Sequence, residues 1–155
     1  MGGVSRAVER DRSWLQATPV QGWARWSHVL LLLGATTMVG IGLYLTPDPA
    51  GHGTHQQLGL PPCTIYHLTG RPCPSCGLTT SVSAILHGQF ALAWRANPIG
   101  FLIVAATVAV ALNSLAALLV GRCLRIELSR FNWILTLLVS LWLAHGVIRF
   151  ALWQP

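Results

Sequence analysis

Three stretches of the chain carry apolar residues without interruption, and polar, proline-rich or arginine-bearing sequence separates them. His28 to Leu45, HVLLLLGATTMVGIGLYL, has no formal charge. At 1.5 Å per residue it is just long enough for a hydrocarbon core of about 30 Å. Thr46-Pro47-Asp48-Pro49 then ends it, because each proline removes a backbone donor and biases its predecessor to extended geometry. Pro98 to Gly121 is uncharged and opens with a proline, which the first helical turn tolerates. The third run covers residues 131–153, and Arg149 near its end is expected to snorkel to the interface. The pattern predicts an all-α integral membrane protein with three transmembrane helices, at about 28–45, 98–121 and 131–153, in one membrane domain over 28–153.

Between the first two spans the pattern changes. Residues 61–97 are rich in Pro, Gly, Ser and Thr, and hold Cys63, Cys73 and Cys76. After Cys76, the positions Leu78, Val82, Ile85, Leu86, Phe90 and Ala93 recur at spacings of three and four, which predicts one helix. Cys76, Thr80, Ser83 and His87 form a polar stripe on it, facing either water or the other helices. A fourth span over 78–94 would place Arg122, Arg125 and Arg130 outside and carry Thr79, Thr80, Ser81, Ser83 and His87 into lipid, so a short interfacial or re-entrant helix is preferred to it after the Cys-x-x-Cys loop.

Charge fixes the expected orientation. Only 9% of the 155 residues are charged, against roughly 25% in soluble domains. All ten basic residues are arginine, which closes Schiff-base and P-loop chemistry, since both need an ammonium group. Four acidic residues leave little scope for carboxylate acid/base catalysis. The arginines flank apolar runs instead of interleaving with aromatics, so they are topology signals and nucleic-acid binding is not expected. A cytoplasmic N-terminal tail, residues 1–27 with Trp14, Trp23 and Trp26 at its membrane side, puts Arg6, Arg10, Arg12, Arg25, Arg122, Arg125 and Arg130 inside. Arg71, Arg95 and Arg149 then lie outside or at the outer interface, and the cysteine segment is extracytoplasmic.

Any chemistry belongs to that segment. Cys73-Pro74-Ser75-Cys76 has the spacing of a reversible disulfide or of two metal ligands. Cys63, His67, Cys73 and Cys76 together match the Cys3His composition of closed zinc sites. Three readings stand open: a structural disulfide, a reversible dithiol, and metal or haem ligation. In the dithiol case Cys73, near a helix N-terminus, is the attacking thiolate and Cys76 its resolving partner. His52 and His55, in a Gly-rich loop, keep metal capture open. His87 lies too far along a continuous helix to share a metal with Cys76. His145 and Arg149 form an i, i+4 pair on the third span, and Cys123 reads as a free structural thiol.

The stretch from Cys63 to Pro98 resembles a family of small bacterial membrane proteins classed as a domain of unknown function, with the hallmark Cys-Pro-x-Cys-Gly-x-Thr-Arg, a His-Gly turn and a later Asn-Pro. Here the pattern reads Cys73-Pro74-Ser75-Cys76-Gly77-Leu78-Thr79-Thr80, His87-Gly88 and Asn97-Pro98. The resemblance implies a membrane location and singles out Cys63, Cys73, Cys76, Gly77 and Thr79, with no established activity. The family's arginine is Thr80 here, so a job done by its charge is expected to be done less well or to fall to nearby Arg71.

The sequence favours a non-enzymatic accessory or interaction protein, with no catalytic residue and no resident cofactor. A membrane protein partner or homo-oligomer is expected beside the lipid bilayer, because three modest spans bury little surface against one another. The alternative is a thiol-disulfide redox or metal-handling protein, with zinc or haem, built on Cys63, Cys73 and Cys76.

Overall fold

The computed structural model of the protein describes residues 17–20, 22–124 and 128–152. The expectations for Arg6, Arg10, Arg12, Trp14, Arg125 and residue 153 lie outside them. The order is β1 (Ala17–Pro19), α1 (Trp23–Tyr44), a 3-10 turn (Thr54–Leu58), α2 (Thr64–Thr69), α3 (Leu78–Leu86), α4 (Phe90–Ala96), α5 (Ile99–Val120), β2 (Arg122–Leu124) and α6 (Leu128–Leu152).

Three of these helices, α1, α5 and α6, are long and apolar enough to cross a membrane. At 22 residues, α1 and α5 are each about 33 Å long. Their surfaces are inverted relative to a soluble bundle. Leu30, Leu33, Leu112, Leu119, Leu137 and Val147 face outward, while small or hydroxylated residues such as Ala35, Ser114 and Ala117 are buried. Outward leucines are stable only against lipid, and small inward residues let backbones approach closely. α1 starts at Trp23, five residues before the charge-free run, because helix geometry continues through the interfacial tryptophans.

The spans are tied by polar contacts. α1 packs along α5, where His28 Nδ1 lies 3.4 Å from Ser114 Oγ and the Thr107 hydroxyl donates to the Met38 sulfur. At one end, β1 pairs antiparallel with β2, Thr18 opposite Cys123. The whole of 45–97 gathers at the other end.

There the single helix expected after Cys76 is two. Gly88 adopts φ +73°, a left-handed conformation that glycine takes without a Cβ clash, and the chain turns between α3 and α4. α4 folds back on α3, and the Ser81 hydroxyl donates to the Ala93 carbonyl at 3.0 Å. The predicted apolar stripe is thereby split, with Val82 and Ala93 buried and Phe90 exposed. With nine and seven residues, neither helix spans a bilayer.

The polar stripe turns inward over Cys76, Thr80 and Ser83, and only His87 at its end is exposed. Ser83 donates to the Leu45 carbonyl at 2.6 Å, satisfying the end of α1, and Thr80 shares a 2.8 Å hydrogen bond with Thr54 of the 3-10 turn. Thr80, Ser81 and Ser83 are all buried. A buried hydroxyl needs a partner, and each of these has one. α3 also meets α5 closely, since a Cβ on Gly100 would collide with Ser81.

Candidate metal and thiol site

The turn that carries Cys73 and Cys76 is held by its neighbours rather than by its own helix. Cys76 N–H donates to the Cys73 carbonyl at 3.0 Å and Leu78 N–H to the Ser75 carbonyl at 3.1 Å, so the chain closes two successive turns before α3. Gly77 takes φ +80° between them, and a Cβ there would strike the carbonyl oxygens of Gly51 and Ala96. Only glycine fits that position on both counts.

Asn97 locks the turn to the second span. It is fully buried, its amide donates to the carbonyls of Pro74 at 3.2 Å and Cys76 at 3.3 Å, and its oxygen accepts from Ile99 N–H at 3.1 Å. One side chain therefore caps α5 and holds the cysteine turn.

Cys63 reaches the same place from a different element. It precedes α2 and accepts the His67 N–H on its carbonyl at 2.9 Å. Its Sγ lies 3.4 Å from Cys73 Sγ, which lies 3.3 Å from Cys76 Sγ. All three sulfurs are within 4.8 Å of one another, and the three cysteines are free thiols. Three thiolates on one tetrahedral zinc, with Zn–S about 2.3 Å, stand about 3.8 Å apart, so the donor set fits a soft cation with small adjustments.

The thiols open into a cleft of about 690 Å³. His52, His55 and His67 line it with the cysteines. The Tyr66 and His52 rings meet at 4.4 Å between centroids, tilted by 45°, and His55 Nε2 lies 3.2 Å from the Pro61 carbonyl. His67 is on the cleft wall, but its ring nitrogens are not among the ligand atoms brought together. His87 does not line the cleft; its Nδ1 lies 2.9 Å from the Ser83 carbonyl.

The two cysteines of the pair have opposite tendencies. Burial pushes the Cys73 thiol up, but the Ser75 hydroxyl, the Cys76 and Cys63 thiols and the Ser75 backbone more than offset it and bring it down to about 7. Burial pushes Cys76 up to about 12, helped by the hydrogen bonds to Cys73 and Cys63 and the negative charge of a Cys73 thiolate. Cys73 is thus the more acidic of the two, as expected, but through local hydrogen bonds. α3 begins only at Leu78, five residues on.

A cation from the last helix meets this turn. Arg149 reaches from α6 to this turn. Its guanidinium donates to the carbonyl of Cys76 at 3.0 Å and of Ala96 at 2.6 Å, beside the thiol pair. Arg71, the expected substitute, instead lies over the Phe150 ring, 5.4 Å from its centroid, and donates to the Phe150 carbonyl. α6 also meets the turn at Gly146, where a Cβ would collide with Pro74. One turn of helix away, His145 Nδ1 is buried and has no hydrogen-bond partner among the described residues. Arg149 lies 73 positions after Cys76, and no spacing rule links them.

Comparison with curated proteins and with solved structures gives no match. Residues 63–112, from the first cysteine of the cluster through most of α5, match the model of a family described as protein of unknown function (DUF2752).

Proposed function

We propose that the protein is a non-enzymatic membrane protein whose cysteine segment forms a platform at one membrane face and binds a soft metal cation through Cys63, Cys73 and Cys76. The observation that carries this reading is the convergence of three sulfurs from two separate segments at a cleft that three histidines also line. Thiolate and imidazole are the ligands that zinc and related d10 ions select. His67, one turn after Cys63, supplies the fourth ligand once its ring turns toward the sulfurs. The arginine distribution supports an extracytoplasmic position for this segment, with the N-terminus in the cytoplasm. The outward apolar surface of α6, which meets the rest of the chain mainly near its C-terminal end, supports a membrane partner or a second copy.

The test is elemental analysis of full-length protein purified under reductant. One zinc per chain is expected, lost in Cys63→Ser, Cys73→Ser and Cys76→Ser and weakened in His67→Ala. Metal-free protein with three alkylatable thiols would sink the reading.

A second reading, thiol-disulfide exchange, draws on the unequal acidity of Cys73 and Cys76 and on the place of Cys73 between two other thiols. Its mark is a midpoint potential between roughly −120 and −200 mV, whereas a structural disulfide falls below roughly −300 mV.

A further inference from the structure

We infer that the site exchanges its metal for a disulfide: a small disulfide that enters the cleft oxidises Cys73 together with Cys63 or Cys76, and the ion leaves. The inference rests on the metal-binding reading above. Cys73 is the sulfur that both others approach, at 3.4 Å from Cys63 Sγ and 3.3 Å from Cys76 Sγ. These spacings lie between roughly 3.8 Å, set by a shared tetrahedral zinc, and roughly 2.05 Å, the length of a disulfide bond. Binding the ion spreads the sulfurs and oxidation draws two of them together, so the two states exclude each other. Any disulfide that includes Cys73 takes two of the three sulfurs from the ion, which is left with too few ligands to stay.

Access decides what the oxidant is and where it reacts. The cleft of about 690 Å³ is in the range that admits a small molecule, and no Asp, Glu, Lys or Arg lines it. Cys73 and Cys76 line it but are only 8% and 7% exposed, while Cys63 is more open. On the metal all three sulfurs are thiolates, so Cys63 attacks the small disulfide RS–SR first. The RS–SR bond breaks, a Cys63–SR mixed disulfide forms, and RS⁻ leaves to take a proton from water. Cys73 then attacks the Cys63 sulfur, the second RS⁻ departs, and a Cys63–Cys73 bond results. Two cysteine sulfurs are oxidised, and the incoming disulfide is reduced to two thiols. As the ion dissociates, Cys76 either takes a proton from water or attacks Cys73. The second course leaves a Cys73–Cys76 bond and a Cys63 thiolate to be protonated instead.

The experiment adds oxidised glutathione to full-length, zinc-loaded protein in detergent, in a Cys123→Ser background, and follows zinc with a chromogenic chelator. Samples are quenched in acid, alkylated and mapped by peptide mass spectrometry. One ion released per internal disulfide is expected, with Cys73 in every internal bond and a transient glutathione adduct on Cys63. In metal-free Cys73→Ser the second step is lost, and the adduct should persist on Cys63 with no internal bond. A disulfide formed while the ion stays bound, a Cys63–Cys76 bond, or a first adduct on Cys73 or Cys76 would each overturn the inference. Zinc-loaded protein inert to oxidised glutathione would overturn it too, and leave the metal-binding reading standing. If Cys73→Ser does not fold, the time course in the zinc-loaded protein decides alone. A protein that takes up no zinc removes the metal-binding reading and this inference with it, a result distinct from an inert loaded site.

Discussion

The side-chain amide of Asn97 donates to the carbonyl oxygen of Cys76 across 21 residues of chain, at 3.3 Å and out of contact with solvent. The same residue accepts the Ile99 N–H, so the second span and the cysteine turn share one buried polar link. Asn97→Ala removes the side-chain partner of the Pro74 carbonyl and the Ile99 N–H, each worth about 1–3 kcal/mol when buried, while the Cys76 carbonyl keeps its bond from Arg149. Faster alkylation of Cys76 and a lower thermal midpoint are the expected results. Asn97→Asp keeps the acceptor for Ile99 but sets a carboxylate oxygen against two carbonyls, and should be no milder.

Gly77 and Gly59 both have positive φ, at +80° and +74°, yet only Gly77 has backbone oxygens where a Cβ would sit. Gly59→Ala should therefore cost only the left-handed penalty, about 1–2 kcal/mol. Gly77→Ala adds a collision with the Gly51 and Ala96 carbonyls and should cost several kcal/mol, on the order of a severe core defect. Comparing the denaturation midpoints of the two variants in detergent separates backbone conformation from crowding.

In metal-free reduced protein the acidity of Cys73 sets a pH profile for alkylation. With its pKa lowered from 9.0 to about 7, Cys73 is half thiolate near neutrality, and its rate falls tenfold for each unit below. Cys76, pushed up to about 12, stays protonated through that range. Iodoacetamide at neutral pH should label Cys73 well before Cys76, as read by peptide mass spectrometry. Ser75→Ala removes a hydrogen bond to the thiolate and should move the Cys73 profile to higher pH. Equal labelling of both cysteines would contradict the asymmetry.

The third span meets the cysteine turn at Gly146, with Pro74 where a Cβ would go. Gly146→Leu should push α6 off the turn, break the Arg149 contacts with Cys76 and Ala96, and raise Cys76 alkylation. Val147→Leu, one residue on but on the outward apolar surface, should change neither.

Orientation has its own measurement. With an impermeant maleimide on intact cells, Cys63 of a variant keeping only that cysteine should react. Cys123 of the corresponding variant should react only after the membrane is opened. The reverse pattern would move the thiols to the cytoplasmic side and remove the oxidising compartment from consideration.

How much of this was legible beforehand depends on the range of the interaction. The three spans followed from the uncharged runs at 28–45 and 98–121 and from 131–153, charge-free up to Ile148, because the cost of placing charge and unpaired backbone in lipid is local and strong enough to override other preferences. Cys63, Cys73 and Cys76 stood out by residue type and by their place in a polar interruption between two spans. The break at Gly88 had only the His87-Gly88 turn of the resemblance to point to it, since the apolar spacing continues across it and only packing of α4 on α3 rewards the turn. The inward direction of Thr80, Ser81 and Ser83 was equally hidden. Their partners are the 3-10 turn, the carbonyl of Ala93 and the end of α1.

The gathering of Cys63 with the pair, and of Arg149 with Cys76, belongs to tertiary structure alone. Periodicity reports which face of an element is apolar, but it does not encode the register at which one end of α6 meets a turn 73 residues earlier. That register depends on small residues such as Gly146 allowing backbones to touch, and on carbonyls of Cys76 and Ala96 left over by the surrounding turns and helix ends.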